Sequence, residues 1–117
     1  MEGSVFHFRV LLDHSDEVFR DIEVLCGSSF EDLHEAVIKA FSFSGMEMAS
    51  FYMSNEEWDK GDEITQMDMG GMGDAGIKTM KDTPLSEMII DKGDKLLYVY
   101  DFIRMWIFYV ELVGIAK

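Results

Sequence analysis

Asp101 is the residue whose neighbours most invite a chemical question. It stands in Tyr98-Val99-Tyr100-Asp101-Phe102, with Arg104 and Trp106 close behind. A carboxylate in so apolar a run must be hydrogen-bonded, ion-paired or placed at a strand end. Arg104 is near enough in sequence to pair with it across a tight turn, and Asp is itself a favoured turn residue. On one reading Asp101 is the acid of a hairpin turn. On the other, Tyr100, Asp101 and Trp106 form the rim of a pocket or partner groove, with Tyr98 and Arg104 beside them as candidate binding residues.

Other residue types offer less. His34 lies beside the apolar stripe of a helical repeat, where a lone histidine is more often a boundary residue than a catalyst. His7 and His14 fall on an exposed face and in a turn. Cys26 could act as a nucleophile through its thiolate, yet nothing in the sequence places a base beside it. A small buried hydrophobe is the better reading. Glu56, Glu57, Asp59, Asp62 and Glu63 lack the alternating acids and closing glutamate of an EF-hand loop, so they read as a solvated acidic segment. Met67, Met69 and Met72 carry soft thioethers suited to Cu(I), but no targeting signal supports copper handling. A Gly-rich phosphate loop, a Ser-His-Asp arrangement and zinc-ligand spacing are all missing from the sequence. No catalytic residue, metal or cofactor is expected.

The totals narrow the classes further. A chain of 117 residues with 48% hydrophobic residues forms one domain with one core. Ten Lys and Arg stand against 23 Asp and Glu, a formal net charge of -13. The basic residues are scattered singly from Arg9 to Lys117, so direct binding to nucleic acid is disfavoured, because that requires clustered cations. A protein partner, basic in character, suits the charge better. The single cysteine forbids an internal disulfide and agrees with a reducing compartment. Glu2 is followed by alternating residues rather than by a basic and then an apolar segment, and the run Ile103 to Ala116 is short and broken by Arg104 and Glu111. No membrane contact is expected, and the cytoplasm is the expected location.

The elements that must position these side chains follow from periodicity. Val5 to Leu12 alternates, with Phe6, Phe8, Val10 and Leu12 on one face, and Val18 to Leu25 resumes the alternation after the polar turn Asp13–Glu17. This predicts an antiparallel hairpin. Ser28 with Glu31 three residues on has the form of a capping box, and Phe30, Leu33, Val37, Ile38 and Phe41 recur at helical spacing to near Phe43. Ala49 to Met53 predicts a short strand, and Ile64 to Met67 another. The acidic, Met-rich stretch of about 54–82 reads as a flexible loop, most mobile over 68–76. Pro84 suits a first helical position ahead of Leu85 and Ile89, which face inward over a turn or two. Lys95 to Leu112 then predicts two core strands, apolar on both faces. If nothing in the chain covers Ile107, Tyr109 and Val113, that face is a homodimer interface.

Hairpin, helix, strands, helical turn and closing strands resemble a ubiquitin-like β-grasp. The resemblance implies an α+β domain with one main helix on a mixed or antiparallel sheet of about five or six strands. A second resemblance rests on three separated segments. Arg20-Asp21-Ile22-Glu23-Val24 precedes Phe30-Glu31-Asp32-Leu33-His34-Glu35-Ala36-Val37-Ile38-Lys39-Ala40-Phe41, and Tyr98, Tyr100, Asp101, Phe102 and Trp106 follow near the end. In order and spacing these are similar to the plasmid ORF-3-like family, met on a root-inducing plasmid and beside transposon genes. The family's Gly-Asp pair after the phenylalanine is Ile103-Arg104 here, its basic residue after the tryptophan is Ile107, and the His often found after the helix falls in Met46-Glu47-Met48.

The resemblance implies a fold and a genomic setting, not an activity. Taken with the acidic surface, the aromatic strand pair and the Met-rich loop, it leads us to expect a non-catalytic cytoplasmic interaction module. An accessory role in plasmid or transposon biology, touching nucleic acid through a partner, is the rival reading. An enzyme with a site around Asp101 is the third.

Overall fold

The structure is a computed structural model and describes residues 4–13, 18–43, 47–66, 78–101 and 103–116. Val5–Leu12 forms β1, Val18–Leu25 β2, Ala49–Ser54 β3, Glu63–Thr65 β4, Lys78–Thr79 β5, Lys95–Tyr100 β6 and Trp106–Ala116 β7. Phe30–Ala40 is helix α1 and Leu85–Met88 the single turn α2. All seven strands join one mixed sheet in the order β2-β1-β7-β6-β3-β4-β5.

The expected β-grasp with about five or six strands is therefore corrected. The protein is mostly β, a seven-stranded mixed sheet with two helices. The difference arises at two places. β7 is eleven residues long and pairs antiparallel on both sides, with β6 along Lys95↔Glu111 to Tyr100↔Trp106 and with β1 along Phe8↔Leu112 to Leu12↔Phe108. The C-terminal hairpin thus inserts its second arm beside the first strand. At the far edge β5 adds two residues, parallel to β4. A two-residue strand has no periodicity to read.

The β1–β2 hairpin forms in antiparallel register from Val5↔Leu25 to Leu12↔Val18. β6 and β7 are central, as their doubly apolar faces predict. Leu96, Tyr98 and Tyr100 are buried on the helix side, and Leu97 and Val99 are buried on the other. Helix α1 lays Phe30, Leu33 and Val37 on the sheet, each fully buried. Each contributes about 1.5–3 kcal/mol by leaving water. Its cap is Ser29 with Asp32, one residue beyond the expected Ser28 and Glu31. The Asp32 N–H donates to Ser29 Oγ (3.2 Å) and the Ser29 N–H donates to Asp32 Oδ2 (3.0 Å). Ser28 is committed elsewhere, its N–H to the Leu25 carbonyl and its carbonyl to the Leu85 N–H. α2 starts after Pro84, which caps without a side-chain bond, and Leu85 and Ile89 do face inward.

The second face of the sheet is covered in part by residues 55–62. Asn55 Oδ1 accepts the N–H groups of Glu57 (2.9 Å) and Asp59 (3.1 Å), and Ser54 Oγ donates to the Asp59 carbonyl (2.8 Å). This staple holds Trp58 at φ 61°. The indole meets the Tyr109 ring edge-on at 5.0 Å, under the Lys95 ammonium. Ile107, Tyr109 and Val113, whose lack of cover was the condition for a homodimer interface, are each half-buried. His14 and the expected mobile segment 68–76 lie outside the described residues. Among the described residues, no helix is long and apolar enough to cross a membrane.

Candidate functional site

β6 ends at Tyr100, β7 begins at Trp106, and Asp101 governs the turn between them. Asp101 is buried and takes φ 63°, in the left-handed region that non-glycine residues rarely adopt. Its Oδ1 accepts the N–H groups of Ile103 (3.1 Å) and Arg104 (3.3 Å). Its own N–H donates to the Met48 carbonyl (2.8 Å), and its carbonyl accepts the Met105 N–H (2.6 Å). Arg104 Nε stands 3.9 Å from Asp101 Oδ2, at the limit of an ion pair, with the Arg104 side chain largely in water. Both oxygens thus face partners within the turn. The turn carries Ile103 outward, 91% exposed.

Behind this turn lies an aromatic floor. Phe43 stacks on Tyr100 with centroids 5.0 Å apart and planes at 7°, and it meets Trp106 at 5.5 Å and Phe108 at 5.7 Å. An open cavity of about 470 Å³ is lined here by Phe43, Glu47, Tyr100, Asp101, Arg104 and Trp106, with Ile103 at its rim. A second depression of about 320 Å³ continues past Phe43 and Trp106 to Leu12, Val18 and Arg20. Four of the residues expected to bind, Tyr100, Asp101, Arg104 and Trp106, are brought together.

Tyr98 is not among them. Its side chain is fully buried, pointing under α1, where its hydroxyl lies 2.6 Å from Nδ1 of His34. Burial pushes the Tyr98 phenol well up and the His34 imidazole down, so both stay neutral in the core. His34 also borders a further cavity of about 450 Å³ on the flank of α1. Sequence reasoning missed Phe43, which sits beyond the helical repeat, and Gln66, a single amide after β4. Phe43 is one aromatic among nine phenylalanines, and only its position in space singles it out.

The remaining candidates disperse. Cys26 is buried and in no disulfide. His7 Nε2 comes within 3.6 Å of Asp21, whose carboxylate already accepts both Nε and a terminal nitrogen of Arg9. That bond to Arg9 holds the Asp21 carboxyl below its usual range. The acids of 56–63 turn to separate tasks: Glu56 pairs with Lys95, Asp59 accepts from Asn55, and Glu63 accepts from Ser50 Oγ at 2.7 Å. Among the described residues, no group of three or more His, Cys, Asp or Glu side chains is placed to hold a metal ion. Met67, Met69 and Met72 lie outside the described residues.

Comparison with known proteins agrees with this architecture. Among solved structures, the chain is similar to that of MM3350, a protein of unknown function from Methanosarcina mazei Go1, at 24% identity and a TM-score of 0.79. The match covers 97% of this chain and 61% of that one, so this chain spans about three-fifths of that protein. At such identity the likeness is one of fold. No curated protein matches the chain. The profile of the plasmid pRiA4b ORF-3-like proteins matches residues 4–117, which include all three segments singled out above. The chain belongs to the plasmid pRiA4b ORF-3-like family.

Proposed function

We propose that this domain is a non-catalytic, cytoplasmic interaction module that meets a protein partner at the hairpin end of its sheet. The observation that carries the reading is Ile103, 91% exposed on a turn whose backbone N–H groups are tied to Asp101. A large aliphatic side chain held out on a fixed turn loses little freedom on docking. The aromatic floor of Tyr100, Phe43 and Trp106 beside it offers a firm apolar contact. The net charge of -13 favours a basic partner and works against direct contact with phosphate backbones.

The plasmid origin in the family's description favours, as a second reading, an accessory role in which that partner touches nucleic acid. An enzyme built around Asp101 has less support, since the carboxylate is engaged within the turn and the cavity beside it is open. The test is capture of the tagged protein's partners from its native lysate at low salt, with folded Ile103→Asp and Trp106→Ala variants alongside. A protein retained by the parent and lost from both variants supports the module. Retention that ignores the hairpin, or no retained protein, overturns it, and a partner released by nuclease favours the second reading.

A further inference from the structure

A second site stands on the flank of α1, away from the hairpin tip. Its wall is one edge of the helix, where Glu31, His34, Glu35 and Lys39 follow at three- and four-residue spacing and so share a side. Gln66, just after β4, also lines the depression, and Ile38 and Phe43 supply its apolar part. The depression is open to solvent, and its volume of about 450 Å³ falls in the range of small-molecule pockets.

The polar groups around it divide by hydrogen-bonding sense. Gln66 Oε1 already accepts the Ala49 N–H at 3.1 Å, so its amide nitrogen, a donor, is the end left for a ligand. His34 has Nδ1 bound to the Tyr98 hydroxyl inside the core. A phenol is the better donor and an imine nitrogen the better acceptor, so this pairing favours the tautomer with its proton on Nε2, along the edge remote from Tyr98. With the Lys39 ammonium, that makes three donors. Glu31 and Glu35 are acceptors only. Among the described residues no ion pair engages Glu31, Glu35 or Lys39.

We propose that this cavity binds a small zwitterion, an α-amino acid with an apolar side chain. Its ammonium group meets Glu31 and Glu35, its carboxylate meets Lys39, Gln66 and His34, and its side chain lies against Ile38 and Phe43. The buried His34–Tyr98 pair fixes the imidazole without any help from the ligand, so this one wall of the site is formed before binding. The inference does not rest on the hairpin as a contact surface.

The experiment titrates isotope-labelled protein with leucine, with isopentylamine and with isocaproate, following the His34 ring and the Gln66 side-chain amide by NMR. Leucine is expected to give saturable shifts with a Kd of about 1 mM or tighter, and each half-molecule to bind at least tenfold more weakly. Glu35→Gln and Lys39→Met, both surface changes, are each expected to weaken leucine at least tenfold with spectral dispersion kept. Ile103→Asp, at the hairpin, should leave leucine binding unchanged. No saturable shift with leucine, equal binding of the half-molecules, or unaltered affinity in Glu35→Gln and Lys39→Met would overturn the proposal.

Discussion

The Tyr98 hydroxyl lies 2.6 Å from Nδ1 of His34, across 64 residues of sequence, and ties the central strand β6 to helix α1 inside the core. Tyr98 is fully buried and His34 is 5% exposed. Polar atoms so deeply placed are kept by the bond between them, because either one left alone would cost its desolvation.

Tyr98→Phe removes the hydroxyl and strands the imidazole nitrogen. We expect a loss of about 1–3 kcal/mol in unfolding free energy, the cost of an unsatisfied buried polar group. Urea titration at neutral pH measures it. The double variant His34→Leu/Tyr98→Phe should lose less than the sum of the two single changes, since the groups are in contact.

Stability should also depend on the charge state of His34. Burial lowers its folded-state pKa below the ordinary 6.5. As pH falls through 6.5 the unfolded chain takes up a proton that the folded chain refuses, so stability declines, and the decline levels off only below the folded-state pKa. Urea midpoints measured between neutral and mildly acid pH should fall for the parent. They should fall less for His34→Gln, and an identical slope in the two would contradict this account.

The two candidate caps of α1 can be separated by substitution. Ser29→Ala deletes the side-chain acceptor of the Asp32 N–H and should cost about 0.5–2 kcal/mol. Ser28→Ala leaves that bond in place, since Ser28 serves through its backbone, and should change stability by under about 0.5 kcal/mol. Thermal melts of the two variants decide which serine caps.

Gly61 closes the loop that carries Trp58. A Cβ there would stand 2.7 Å from the Met53 carbonyl oxygen, a backbone atom of β3 that also accepts the Gly61 N–H. Gly61→Ala should therefore destabilise by about 1–3 kcal/mol and loosen Trp58, read as a shift in its fluorescence. Gly27→Ala meets nothing within 4 Å and should be neutral or slightly stabilising.

Much of this protein was legible in the sequence. The β1–β2 hairpin, α1, β3, the inward Leu85 and Ile89, and the doubly buried β6 each follow from a repeat of two or of about 3.6 residues along a short window. The gathering of Tyr100, Asp101, Arg104 and Trp106 was legible too, because they bracket one short turn. Misplacing the cap by one residue reflects two adjacent serines, each with an acid three residues on, and only the Leu25 and Leu85 contacts of Ser28 separate them.

By itself the sequence determined the longer helix and strand segments, which of their faces turn inward, and that the chain is acidic, since all of these follow from residues close together along the chain. Tertiary structure alone decided that β7 lies between β1 and β6 and that β5 joins the far edge. It alone sent Tyr98 to His34 rather than to the rim, and set Phe43 against Tyr100 and Trp106. Strand order and cross-chain contacts depend on how whole faces pack against one another, and a residue's own neighbours in sequence do not encode that.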